Sequence, residues 1–131
     1  SGGEKVKAAL AIALSHKPRI LIIDGVLSTI DNESKQKILE LIKNFRDNGL
    51  TIINITEDLS ESYLSDKLVV ISNGTVVLEG PPIKVMEYDK VLTKLGIKIP
   101  FEIELSIKLK LYGLIDDLYI DINKLVSVLW G

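Results

Sequence analysis

Apolar residues recur along this chain with two spacings, one helical and one strand-like, and the spacing switches repeatedly. Over residues 3–15, Ala8, Leu10, Ala11 and Leu14 fall near the 3.6-residue repeat, which predicts a helix. Lys17-Pro18 ends it, because a residue before proline is driven out of the helical region. Residues 19–24 read Arg-Ile-Leu-Ile-Ile-Asp, and their run of four aliphatics predicts a short parallel strand covered on both faces. Asp31 is placed to cap a helix over 32–48, with Ile38, Leu39, Leu41, Ile42 and Phe45 as its apolar stripe and Asn48-Gly49 as its stop. A second strand is predicted over 50–56 and a short helix over 59–65. Strands over 67–72 and 75–79 are joined by Asn73-Gly74, a dipeptide that fits the tight two-residue hairpin turn. The strand–helix–strand order predicts an α/β fold with a parallel pair.

The pattern changes after Gly80-Pro81-Pro82. Short helices are predicted over 83–88 and 90–95, ending at Gly96, and Pro100 can open another at its first position. Over 101–111 two readings conflict. Phe101, Ile103, Leu105, Ile107, Leu109 and Leu111 alternate strictly with other residues, which alone reads as a strand. Asp121 caps a last apolar helix over 122–130, in which Trp130 is expected to pack.

Composition narrows the classes. The 131 residues suit one domain or one lobe of a larger one, and 47% hydrophobic content supports a core. Lys and Arg number 16 against 18 Asp and Glu, so no basic face for nucleic acid is expected. There is no cysteine, which removes disulfides and thiolate metal sites. The single histidine, His16, excludes a His-rich zinc site, and its place at a helix C-terminus predicts exposure or a favourable dipole contact rather than catalysis. No apolar run approaches the ~18 residues of a spanning helix, and no secretory leader is visible. The chain opens on Ser rather than Met, so it reads as a fragment or a processed piece.

Candidate chemistry sits first at the end of the aliphatic strand. Ligands of open α/β sheets lie beyond the C-terminal tips of strands, and a carboxylate there, Asp24, can hold Mg²⁺ beside phosphates. An aspartate ending a strand is also an ordinary turn former. The order of segments adds to this. Ser1-Gly2-Gly3-Glu4 opens a helix; Arg19 to Asp24 follows; then come Ser28-Thr29-Ile30-Asp31, a helix, Ile55-Thr56-Glu57-Asp58, and the hairpin ending Glu79-Gly80. This order resembles the C-terminal half of an ABC ATPase subunit. Ser1 to Glu4 look like the LSGGQ signature without its leading Leu, Arg19 to Asp24 like Walker B, Ser28 to Asp31 like the D-loop SALD, and Ile55 to Asp58 like the switch motif ITHD. The tail, with Gly96 to Phe101, Leu105, Leu109, Gly113 and Asp121 to Val126, is similar to the C-terminal extension of energy-coupling-factor ATPase subunits. That resemblance makes residues 101–111 helical despite their alternation.

The resemblance implies a partial P-loop NTPase core of α/β class, with a mostly parallel sheet and a terminal hairpin, over residues 1–80, and a small helical extension over 81–131 that contacts a dimer partner. It implies ATP and Mg²⁺ as ligands. Ser1, Gly2, Gly3 and Glu4 would reach the γ-phosphate of ATP on a partner's P-loop, Asp24 would hold Mg²⁺, and Ser28 and Asp31 would lie at the dimer interface. Glycines at a helix N-terminus let phosphate oxygens approach N–H groups closely.

Three departures from the family stand out. Gly25 occupies the place of the glutamate that polarises water, and it has no side chain to do so. Glu57 replaces the switch histidine, and a carboxylate repels phosphate. No GxxxxGK[ST] occurs, so the chain alone has no self-contained nucleotide site. The own-chain catalytic parts are therefore degenerate, while the part donated to a partner is retained. ATP hydrolysis is the family's activity, and this chain lacks three parts needed for it. The implied partners are a second ABC ATPase subunit, as homo- or heterodimer, and integral membrane subunits of an uptake transporter, which would place the protein in the cytoplasm on the inner face of the cell membrane. The competing reading is a non-catalytic dimerisation or regulatory module derived from such an ATPase.

Overall fold

The computed structural model describes Ser1–Gly131, which divide into two compact units, Ser1–Glu57 and Asp58–Gly131. In the first unit, helix α1 (Gly2–Ser15) precedes strand β1 (Ile20–Asp24), a 3₁₀ turn (Val26–Thr29), helix α2 (Asn32–Asp47) and strand β2 (Thr51–Ile55). β1 and β2 pair in parallel with Ile22 opposite Ile53 and Asp24 opposite Ile55. A parallel pair needs a crossover, and α2 supplies it. Asp31 starts α2 by accepting the Ser34 N–H at 2.9 Å. The core joins Val6 and Leu10 of α1, Leu21 and Ile23 of β1, Leu27 of the turn, and Ile38 and Leu39 of α2.

One expectation fails here. The aliphatic strand is covered on one face only: Leu21 and Ile23 are buried, whereas Ile20 and Ile22 are 56% and 62% exposed. Ile53 and Ile55 of β2 lie on that same bare face, in register with Ile22 and Asp24. Both helices of this unit contribute to the core on the Leu21 side, and no element of this unit covers the other.

The second unit opens with a 3₁₀ turn (Leu59–Ser62), followed by the antiparallel hairpin β3 (Leu68–Ser72) and β4 (Thr75–Gly80). Asn73 and Gly74 both have positive φ, 50° and 74°, as the mirror-image hairpin turns require. Helices α3 (Pro82–Met86), α4 (Asp89–Lys94), α5 (Phe101–Leu111) and α6 (Ile122–Trp130) follow. Leu59, Val70, Val85, Met86, Leu92, Ile103 and Leu118 form this unit's core.

Residues 101–111 are helical, as the resemblance implied and against their alternation. Ile103 and Ser106 are fully buried and Ile107 partly so, which is a helical spacing of three and four. The price of an alternating sequence in a helix is that Phe101 and Leu111 stay exposed, at 65% and 82%. Glu104 and Lys108 pair at 2.8 Å one turn apart, a contact available to a helix and not to a strand. Ser106 donates to the Tyr119 carbonyl at 3.1 Å and accepts from its N–H at 3.2 Å, fastening the loop before α6. The Tyr63 hydroxyl donates to Glu102 at 2.9 Å; burial and this carboxylate push its pKa well above the usual tyrosine value. Trp130 does not pack as expected: it is 79% exposed, and Leu125 is the buried residue of α6. No helix is long and apolar enough to cross a membrane.

Candidate functional site

The candidate site residues, from Ser1 to Glu57, lie in the first unit, and the switch-like segment ends at Asp58, where the second begins. Ser1 is the N-cap of α1. Its hydroxyl accepts the Glu4 N–H at 3.3 Å, and the Glu4 carboxylate accepts from the Ser1 nitrogen at 2.7 Å. This reciprocal capping box explains why an acid is accommodated at position 4, since glutamate and glutamine both serve there. The signal for this cap is the Ser-x-x-Glu spacing itself. Glu4 also places negative charge on the positive end of α1. Any phosphate arriving at this turn therefore meets the carboxylate as well as the N–H groups.

Gly2 and Gly3 are held against the segment that follows β1. A Cβ on Gly2 would meet Ile30 Cγ2 at 3.2 Å and the Thr29 carbonyl at 3.5 Å. A Cβ on Gly3 would meet Ser34 Oγ at 2.8 Å and Ser34 Cβ at 2.9 Å, distances that side chains do not tolerate. Gly3 is buried while Gly2 is exposed. The missing side chains that would open the turn to phosphate are also what lets α1 approach residues 29–34. Ser34 was not among the residues the sequence singled out.

The 3₁₀ turn is fastened by its own hydroxyls. Ser28 Oγ donates to the Gly25 carbonyl at 2.7 Å and Thr29 Oγ1 to the Val26 carbonyl at 2.8 Å. Leu27, 1% exposed, anchors the turn in the core. Asp31 stands exposed as the α2 cap. Hydrogen bonds from the Ser34 backbone and then its hydroxyl hold the Asp31 carboxyl below the usual carboxylate range. Its folded pKa lies below the unfolded value of about 3.9, so the cap contributes stability above that pH and loses it as pH falls through the folded value. A carbon-detected carboxyl titration should place Asp31 below the free aspartate value and show the α2 helical signal weakening in the same range. Titration at or above that value would contradict the cap.

Asp24 ends β1 and is exposed, at the same sheet end as Glu57, which lies two residues beyond Ile55. Gly25 adopts φ +63°, and its N–H donates to the Ile55 carbonyl at 2.9 Å. There is open space around a Cβ built on Gly25, so its left-handed backbone, and not crowding, resists a side chain. No group of three or more metal-capable side chains occurs in the chain. Asp24 thus fits Mg²⁺ only as one carboxylate beside phosphate oxygens brought from elsewhere. A cleft lined by Leu14, Pro18, Arg19, Phe45 and Thr51 opens at the opposite ends of the strands, away from these residues.

No family model matches the chain. The energy-coupling factor transporter ATP-binding protein EcfA1 of Bacillus subtilis is 33% identical over 132 aligned residues, covering 99% of this chain and 47% of that protein. The protein of the same name from Lactobacillus delbrueckii is 37% identical with the same coverage. Among solved structures, CbiO1 from Clostridium perfringens, described as part of the ABC transporter complex cbiONQ, superposes with a TM-score of 0.63 and 29% identity over 76% of this chain and 41% of its own. The ATP-binding cassette MJ0796, a dimer bound to ADP and Pi, gives 0.57 and 26% over 63% of this chain and 36% of its own. The chain thus spans about half the length of the curated relatives it matches. Fold and sequence place it with the ABC ATPases, as a partial P-loop NTPase core of α/β class. Within that class it resembles the C-terminal part of the ATP-binding subunits of energy-coupling-factor transporters.

Proposed function

We propose that this chain is the C-terminal part of an ATP-binding subunit of an energy-coupling-factor-type transporter, and that it lends its signature turn to ATP held by a second ABC ATPase subunit. In this reading ATP binding and hydrolysis at the shared site drive uptake through integral membrane subunits, with the protein on the cytoplasmic face of the membrane. Residues 1–80 carry the motifs, and residues 81–131 contact the dimer partner, a role that suits the exposed Leu111, Tyr112 and Trp130.

The observation that carries this is an asymmetry among the motif residues. The capped Ser1–Glu4 turn is intact and seated on the D-loop segment, whereas the water-polarising position is a left-handed glycine and the switch position a carboxylate. The turn presents the N–H groups of a 14-residue helix, which favour an anion. Asp24 would hold Mg²⁺, which neutralises charge on the phosphates when bound. Gly25 cannot orient a water, and Glu57 repels rather than contacts a γ-phosphate.

Two measurements on the subunit that carries this chain test the reading. Alone, it should show no ATP turnover above background. Gly25→Glu should not create turnover, because Glu57 remains and the left-handed backbone disfavours a side chain by about 1–2 kcal/mol. Turnover by the subunit alone at the rate of an ordinary ABC ATPase would overturn the proposal.

A further inference from the structure

Gly3 and Ser34 are 31 positions apart in sequence, yet the space a Gly3 side chain would need is filled by the Ser34 Oγ and Cβ, at 2.8 and 2.9 Å. Ser34 serves the D-loop as well. Its N–H is donated to Asp31 Oδ1 at 2.9 Å, and its hydroxyl also bonds the Asp31 carboxylate. One residue therefore touches the N-terminus of α1 and fixes the acid that ends the D-loop. A Cβ on Gly2 would likewise meet Ile30 and Thr29, so the same two segments lie close at a second position. Both helices are capped at this junction, α1 by Ser1 and α2 by Asp31. The space beside Gly3 is thus already occupied, and a side chain there would force α1 and residues 29–34 apart.

We propose that Ser34 is a positioning residue that locks the signature turn and the D-loop into one body, so that a displacement at either is transmitted to the other. This rests on the reading of Ser1–Glu4 as the phosphate-facing turn. Its consequence is that the two segments a partner subunit would meet move together.

The test is amide hydrogen exchange on the subunit that carries this chain, with β1 and β2 amides as internal control. Gly3→Ala should raise exchange about tenfold or more over both residues 1–10 and 27–34, since overpacking forces a shift. Ser34→Gly removes both clashing atoms and keeps the backbone N–H that caps Asp31. In that background Gly3→Ala should have no further effect on either segment. If Gly3→Ala alone does not fold, the Ser34→Gly chain and the double variant decide, since the double variant should fold as Ser34→Gly does. Exchange raised only over 1–10, or a double variant no better than Gly3→Ala, overturns the lock. A second arm uses a photoreactive ATP analogue on the subunit assembled with its partner. Ser34→Gly should reduce labelling of the Ser1–Glu4 turn severalfold while β1 and β2 protection is unchanged; unchanged labelling removes the positioning role. If the exchange coupling holds but the wild-type turn is never labelled, the lock stands and the phosphate-facing reading fails.

Discussion

Replacing Leu27 by Ala should destabilise the first unit by about 2–5 kcal/mol, the range for emptying a fully buried leucine site. Leu27 is 1% exposed and packs in one cluster with Val6, Leu10, Leu21, Ile23, Ile38 and Leu39. It is also the only buried residue of the 3₁₀ turn, with Ile30 just after the turn partly buried against the same core. Ser28 and Thr29 bond only within the turn, to Gly25 and Val26. The loss should appear as a lower urea midpoint at an unchanged m-value. A change below about 1 kcal/mol would mean that the turn collapses onto the cavity, and that Leu27 does not fix the turn.

The second large effect concerns the turn itself. Gly2→Asp places a carboxylate beside the α1 N–H groups where a phosphate would sit. In the subunit assembled with its partner, turnover at the partner's ATP site should fall about 100-fold, the scale seen when one oxyanion-stabilising contact is removed. Gly2→Ala is the control. Its Cβ would meet Ile30 Cγ2 at 3.2 Å and the Thr29 carbonyl at 3.5 Å, and Gly2→Asp carries the same Cβ, so the pair differs only in the carboxylate. Gly2→Ala should retain most of the activity. Equal loss in both variants would assign the effect to packing rather than charge.

Much of this fold is legible in the residues. Caps at Asp31 and Asp121, the Asn73-Gly74 turn and the proline after α1 act locally, and local chemistry is what a sequence displays. Residues 101–111 show the limit. Their alternation satisfies a strand, and only Pro100 at the N-cap, the Glu104–Lys108 spacing and the family resemblance argue for a helix. The bare face of β1 was illegible for a different reason. A run of aliphatics records that a strand is suited to burial on both sides, but not which element supplies the cover. Trp130 fails likewise, since an apolar helix does not disclose which stripe finds a neighbour.

The site divides in the same way. Ser1, Gly2, Gly3, Asp24, Gly25, Asp31 and Glu57 could be read from motif order. The contact between Gly3 and Ser34 could not, because it links two helices distant in sequence and depends on an absent atom. The Ser1–Glu4 capping box was visible in its spacing, yet a motif that explains four residues at once conceals a second explanation of the same four.

The most direct test of the central claim is a mixed assembly. The subunit carrying this chain is combined with a second ABC ATPase subunit, a photoreactive ATP analogue is added, and cross-linked peptides are identified. Ser1–Glu4 should be labelled by nucleotide bound to the partner's P-loop, label should be absent when the partner is omitted, and Gly2→Asp should abolish it. Nucleotide labelling elsewhere in the assembly with none on this turn, or labelling that persists without the partner, would contradict the claim.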